Sequence, residues 1–194
     1  MKSIDDFKAL ISSRGGLAKS SLFRVIVPSA TADESEATMF LCESCTFPGR
    51  TINTEDVVFQ NNSIKIPHSF SVDDISMTFI LTNDFYIRYM LETWQSSIIN
   101  KANYTIAFED AYTRIIELQM LDMDSKVVYA VRLLNAYPTT IQGIDVSSGE
   151  DTILKVNATF TYEDYEELDL NGIPVEVRAN TALNLTEINT GNVA

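Results

Sequence analysis

Cys42-Glu43-Ser44-Cys45 has the spacing of a redox CxxC pair, or of half a zinc site. A redox pair sits at a helix N-terminus, where the dipole stabilises a thiolate, and a zinc site needs two further ligands. The surrounding run, Thr38–Thr46, reads as a strand, and residues i and i+3 of a strand point to opposite faces. The two cysteines are therefore read as small, semi-buried side chains. His68, the only histidine, alternates in register with Ile64, Ile66 and Phe70 and reads as a packed core or interface residue. Glu163-Asp164-Tyr165-Glu166-Glu167 holds enough carboxylate for a paired acid–base site, but a run of like charges is the pattern of a solvated segment. None of the 7 glycines builds a phosphate-cradling loop or a nucleophile elbow. No catalytic, cofactor-binding or metal site is assigned, and the chain is read as not an enzyme.

What remains to be explained is a series of strands. Leu22–Val27 stops at Pro28, Ser29–Ala37 reads as a polar, acidic loop, and Thr38–Thr46 ends in the turn chemistry of Phe47-Pro48-Gly49-Arg50. Ile75, Met77, Phe79 and Leu81 alternate with Ser76, Thr78 and Ile80, and Ile116, Leu118 and Met120 alternate with Glu117 and Gln119. Val127–Leu134 is more evenly apolar. The cleanest alternation sets Leu154, Val156, Ala158, Phe160 and Tyr162 against Lys155, Asn157, Thr159, Thr161 and Glu163. Period-2 patterning of this kind marks half-buried antiparallel strands. One helix interrupts them near Asp84–Ile99, capped by Thr82 or Asn83, with Ile87, Leu91, Trp94 and Ile98 in one stripe. A short amphipathic helix at 4–13 opens the chain, capped by Ser3 and ended by Arg14-Gly15-Gly16, with Ile4, Phe7, Leu10 and Ile11 on one face.

The fold class is mainly β with one packing helix: an antiparallel β-sandwich or half-barrel. Residues 1–20 read as a helical arm, 21–163 as the β domain, and 164–194 as an acidic, Asn- and Thr-rich arm or tail. The 194 residues are 45% hydrophobic and 21% charged, which excludes wholesale disorder. The net charge of −13 disfavours a protein that grips nucleic acid. No stretch reaches the length of a membrane helix, and the opening residues lack the apolar core of a signal peptide, so assembly in the cytoplasm is expected and membrane insertion is not. Half-wet strands with open edges are an aggregation hazard; one solution is for identical copies to pair edge to edge in a closed ring, and a β-sandwich with a wet outer face gives the same pattern.

Several short motifs, in this order, resemble the tail tube protein family of contractile-tailed, myovirus-type bacteriophages, which includes related baseplate tube initiators and is similar in fold to type VI secretion tube proteins. They are Ser21-Leu22-Phe23-Arg24-Val25, the run Phe40–Gly49 with its Pro48-Gly49 turn, Phe79, Asn83-Asp84, Trp94-Gln95, Ala136-Tyr137-Pro138-Thr139-Thr140-Ile141 read as a turn, and Thr159-Phe160-Thr161-Tyr162.

The resemblance implies a structural, non-enzymatic subunit of a hexameric ring, completed on oligomerisation into one large β-barrel. It implies rings that stack into a tube inside a sheath and carry genome DNA through the lumen. The implied partners are other copies of the chain, the tail sheath protein, the baseplate hub and the tail terminator, and the implied location is the virion tail. The alternatives are a tube initiator or tail-terminal protein of the same fold, and a stand-alone β-sandwich binding module. The resemblance places ring-to-ring contact in Pro48–Asn62, a segment too long for a tight hairpin loop, with Arg50, Ile52, Val57, Val58 and Phe59 as contact residues. Given a channel, alternation assigns Ser76, Thr78, Lys155, Asn157, Thr159, Thr161 and Glu163 to the lumen, because a one-residue slip would bury Lys155 and Glu163.

Overall fold

The computed structural model describes residues 3–27, 32–59, 62–100, 103–149 and 152–168. The elements, in order, are α1 (Ile4–Ser13), β1 (Phe23–Ile26), α2 (Ala32–Leu41), β2 (Cys42–Cys45), β3 (Arg50–Phe59), β4 (Asn62–Val72), β5 (Ile75–Ile80), α3 (Tyr86–Ile98), α4 (Glu109–Tyr112), β6 (Arg114–Leu121), β7 (Val127–Ile141), β8 (Lys155–Thr161) and β9 (Asp164–Leu168). Seven strands form one bent antiparallel sheet in the order β1-β6-β7-β8-β5-β2, with β9 also on β7, while β3 and β4 pair only with each other. The mainly β, antiparallel class expected from alternation is the class observed. The sheet does not close into a barrel within one protomer; β1 and β2 are its two ends.

The sheet folds over itself because β7 is long and bent. Its first half pairs with β6 and β9, and Tyr137–Ile141 pairs with β8. At the corner, Asn135 adopts φ 53°, and its side-chain amide donates to Glu163 Oε2 at 2.7 Å. Asparagine tolerates this left-handed region better than most residues. The facing chain turns at the same point without losing register, since Tyr137 lies opposite Thr161 and Leu134 opposite Asp164. A strand that bends out of one layer into another is how such corners are made. Pro138, which has no N–H to give the ladder, sits beside a register shift between Pro138 and Thr140. Ala136–Ile141 is thus the distal half of a strand and not a turn.

The core lies between the two halves. Ile75, Met77 and Phe79 of β5 and Val156, Ala158 and Phe160 of β8 enter it with Ile87, Leu91 and Trp94 of α3. Trp94 stands 6.0 Å from Phe160, ring centre to ring centre, and its indole N–H donates to the Tyr112 carbonyl at 2.6 Å. Ile98, the fourth residue of the expected stripe, is half-buried at the helix end. The helix starts later than expected and lacks a Thr82 or Asn83 cap. Phe85 is its N-cap at φ 53°, and the carboxylate of Asp84 accepts the Tyr86 N–H at 3.2 Å.

Four further readings are corrected. Thr38 is helical, within α2, so the strand after it shrinks to Cys42–Cys45. The α2 sequence is rich in Ala, Glu, Met and Leu, all good helix formers, and the Thr38 hydroxyl bonds back to the Ser35 carbonyl at 2.8 Å. Most of Ser29–Ala37, read as loop, falls in the same helix from Ala32, while 28–31 lie outside the described residues. Pro48–Asn62 is no loop, because Arg50–Phe59 is a strand of a long hairpin. The acidic run after Tyr162 forms β9, and of the segment expected as a tail, 169–194 lie outside the described residues. The α1 helix forms as expected. It has a reciprocal capping box between Ser3 and Asp6 and a Schellman end, with the Gly16 N–H on the Ile11 carbonyl at 3.0 Å. Gly15 and Gly16 supply the positive φ, 80° and 104°. None of its residues is buried, so its apolar stripe is unused among the described residues.

Candidate functional site

The outer face of the second half-sheet collects the residues that alternation had set apart. Ser76 lies opposite Thr159 and Thr78 opposite Asn157, while Lys155 lies opposite Ile80, the apolar member of the row. The face is bonded along its length. The Ser76 hydroxyl donates to Asn157 Oδ1 at 2.7 Å, and the Thr161 hydroxyl to Asp74 Oδ1 at 2.6 Å. Lys155 reaches across β5 to Glu43 at 2.6 Å. Glu163 leaves the row, since it stands past the end of β8, at the corner, on Asn135. Six of the seven residues therefore share one surface, and its character is hydroxyl and amide with a single, internally paired cation.

Among the described residues, that half-sheet has two sides on which no further strand pairs. Tyr137–Ile141 is laddered on one side by β8; along its other side runs a groove of about 760 Å³, lined by Gln95, Ile98 and Ile99 of the α3 end and by Pro138 and Ile141. Gln95 Nε2 donates into this side, at 3.2 Å from the Thr139 carbonyl and 3.4 Å from that of Pro138. At the opposite end, β2 pairs with β5 alone among the described residues. Its Glu43, Ser44 and Cys45 border a cleft of about 510 Å³ shared with Ser20, Ser21 and Phe23. Sequence reasoning missed both edges, because the first needs β7 to continue through Ala136–Ile141.

The β3–β4 hairpin is the third surface. Every residue of β4 but Val72 is exposed, and so are Ile52, Val57 and Val58 of β3. The alternation of Ile64, Ile66, His68 and Phe70 is real but leaves all four exposed, so His68 is not packed in the core. A proline in such a ribbon is tolerated beside the register shift at Asn53/Thr54, where Thr54 faces Pro67. Phe59 closes the described ladder opposite Asn62. Arg50 differs from the other residues expected at a contact. It stands at the hairpin's base, bonded to Asp164 of β9 at 2.5 Å.

The cysteines lie in β2 and are free, each half-buried. Burial pushes the Cys42 thiol up to about 12, with a smaller opposing effect from a backbone hydrogen bond at Ser44, and raises Cys45 further still. A reactive cysteine needs the opposite shift.

A family model described as phage tail tube protein matches residues 15–168. No curated protein matches the chain by sequence. Among solved structures, it is similar to a chain in the extended-state sheath/tube terminator of an extracellular contractile injection system, PVC, with 12% identity, TM-score 0.59, and 79% of this chain and 97% of that one covered. A chain of the six-fold symmetrised anti-feeding prophage baseplate gives 13%, 0.58, 79% and 97%. One in the PVC sheath–tube complex gives 13%, 0.57, 78% and 90%. At these identities the likeness is one of fold.

Proposed function

The chain belongs to the phage tail tube protein family, which is structural and not catalytic, and on that footing we propose that it is a repeating subunit of a contractile phage tail tube. The observation that carries this reading is the pair of unpaired sides on the second half-sheet. The distal part of β7, β8, β5 and β2 make four antiparallel strands, so the two outer strands run in opposite directions. When β2 of one copy enters the groove beside Tyr137–Ile141 of the next, the alternation continues without a break. Head-to-tail contact of this kind closes into a ring. The six-fold symmetry of the baseplate structure that contains a similar chain supports a hexamer.

In this ring the hydroxyl-rich face carrying Ser76, Thr78, Lys155, Asn157, Thr159 and Thr161 lines the lumen through which genome DNA passes. The β3–β4 hairpin, with Ile52, Val57 and Val58 exposed, reaches the next ring. The sheath lies outside, the baseplate hub and tail terminator at the two ends, and the assembly forms in the host cytoplasm and ends in the virion tail. A tube-initiator or terminator role within the same fold is the second reading, favoured by similarity of equal strength to chains of a baseplate and a terminator.

Electron microscopy and native mass spectrometry of the purified chain test the proposal. Hexameric rings that stack into tubes are expected. Single rings that never stack favour the initiator or terminator role, and a monomer at high micromolar concentration in physiological salt overturns ring assembly.

A further inference from the structure

A ribbon of two strands holds no direction of its own. Two-stranded hairpins are marginal in water, and among the described side chains of β3 and β4 only Val72 packs on the core. Yet the hairpin leaves the domain at a built joint. The Arg50 guanidinium lies between two rings, 4.9 Å from the centre of Phe70 and 4.9 Å from that of Tyr165, and bonds Asp164 at 2.5 Å. Phe70 belongs to the hairpin, whereas Tyr165 and Asp164 belong to β9, which is laddered to β7 along its length. Arg50, itself the first residue of β3, is therefore braced within the hairpin by Phe70 and tied to the sheet by two contacts, the Tyr165 ring and the Asp164 carboxylate. On the outgoing side, Asp74 just past β4 takes the Thr161 hydroxyl, so the base is held from both strands.

We infer that Arg50 is the positioning residue of the β3–β4 hairpin: stacked between Phe70 and Tyr165 and paired with Asp164, it sets the angle at which the hairpin meets its target. The inference rests on the reading of the hairpin as the ring-to-ring contact, and it moves Arg50 from that contact to its aim. Stacking on two faces while bonding in plane suits a guanidinium and not an ammonium, so lysine does not replace it.

The test reads orientation apart from assembly. Spin labels at Thr54→Cys on the hairpin and Asp124→Cys on the body, in a Cys42→Ala, Cys45→Ala background, report a distance distribution in unassembled protein. The starting chain is expected to give one narrow distance, and Arg50→Ala and Arg50→Lys a broad one with an unchanged melting temperature. Tube growth in both variants is expected to need roughly tenfold more protein, equivalent to about 1.4 kcal/mol of stacking free energy. Val57→Ser with Val58→Ser is expected to keep the narrow distance and still stop stacking. An unchanged narrow distance in Arg50→Ala overturns the inference. A broad distance with undiminished tube growth overturns the hairpin's stacking role and leaves Arg50 as its orienting residue.

Discussion

Tyr162 ends the apolar row of β8 with its ring in the core and its hydroxyl buried without a hydrogen-bond partner among the described residues. Burial pushes its ionisation up to about 12, and Tyr165, Asp73, Asp74 and Asp164 add to the shift. An unpaired buried hydroxyl contributes nothing that a hydrogen atom would not, so Tyr162→Phe is expected to be neutral or to stabilise by about 1 kcal/mol in chemical denaturation. The pH dependence follows from the direction of the shift. The folded state holds this proton more tightly than the unfolded chain, whose tyrosine ionises near 10. The group therefore costs nothing below that pH and drains stability as pH rises from 10 towards 12. Denaturation curves across that window are expected to fall less steeply for Tyr162→Phe than for the starting chain; parallel curves would remove Tyr162 as the cause. The apolar placement of Tyr162 was legible from alternation. Its lack of a partner was not, because that depends on what the facing layer brings within reach.

At the scale of elements, the corner in β7 and β8–β9 decides the architecture. Asn135 holds the left-handed conformation that turns the chain, and a β-branched residue there is strained. Asn135→Val is expected to cost about 1–3 kcal/mol, and Asn135→Gly much less, since glycine keeps the conformation and loses only the bond to Glu163. Equal losses in the two variants, read from unfolding midpoints, would place the cost in that hydrogen bond instead. Legibility divides along the same line. Strands β5, β6 and β8 and helix α3 were readable because each has one face on this protomer's core, so the apolar period records its burial. The β4 ribbon shows the same period, but no surface among the described residues covers it, and a period alone does not say whose surface is meant. The α2 helix was misread because the Cys42–Cys45 strand follows it without a break and apolar Met39, Phe40 and Leu41 look continuous with it. The β7 corner was missed because Pro138 and Thr139 carry turn chemistry that a bulged strand also uses.

For the whole molecule the question is where the charge of −13, which disfavours gripping nucleic acid, resides. Glu55 and Asp56 lie on the hairpin, Asp122 and Asp124 at the turn before β7, and Glu166 and Glu167 on β9. The strands of the proposed lumen wall carry one cation, Lys155, and it is neutralised by Glu43 at 2.6 Å. At physiological salt, charges more than about 8 Å away are largely screened, so carboxylates elsewhere do little at this wall. On the proposed reading, non-adhesion rests on the pairing of Lys155, with the Asp74 carboxylate beside Thr161 adding a negative charge at the same face. Glu43→Gln frees Lys155 once per subunit and gives each proposed ring a belt of ammonium groups facing phosphate. Tubes of this variant are expected to retain duplex DNA in a filter assay at about 50 mM salt and to release it by about 200 mM, the behaviour of phosphate contacts that displace counterions. The starting chain and the double variant Glu43→Gln, Lys155→Ala are expected to retain none at either salt. If the single variant assembles into tubes and still retains no DNA at low salt, the face that carries Lys155 does not line the channel, and the wet side of β5 and β8 turns outward instead.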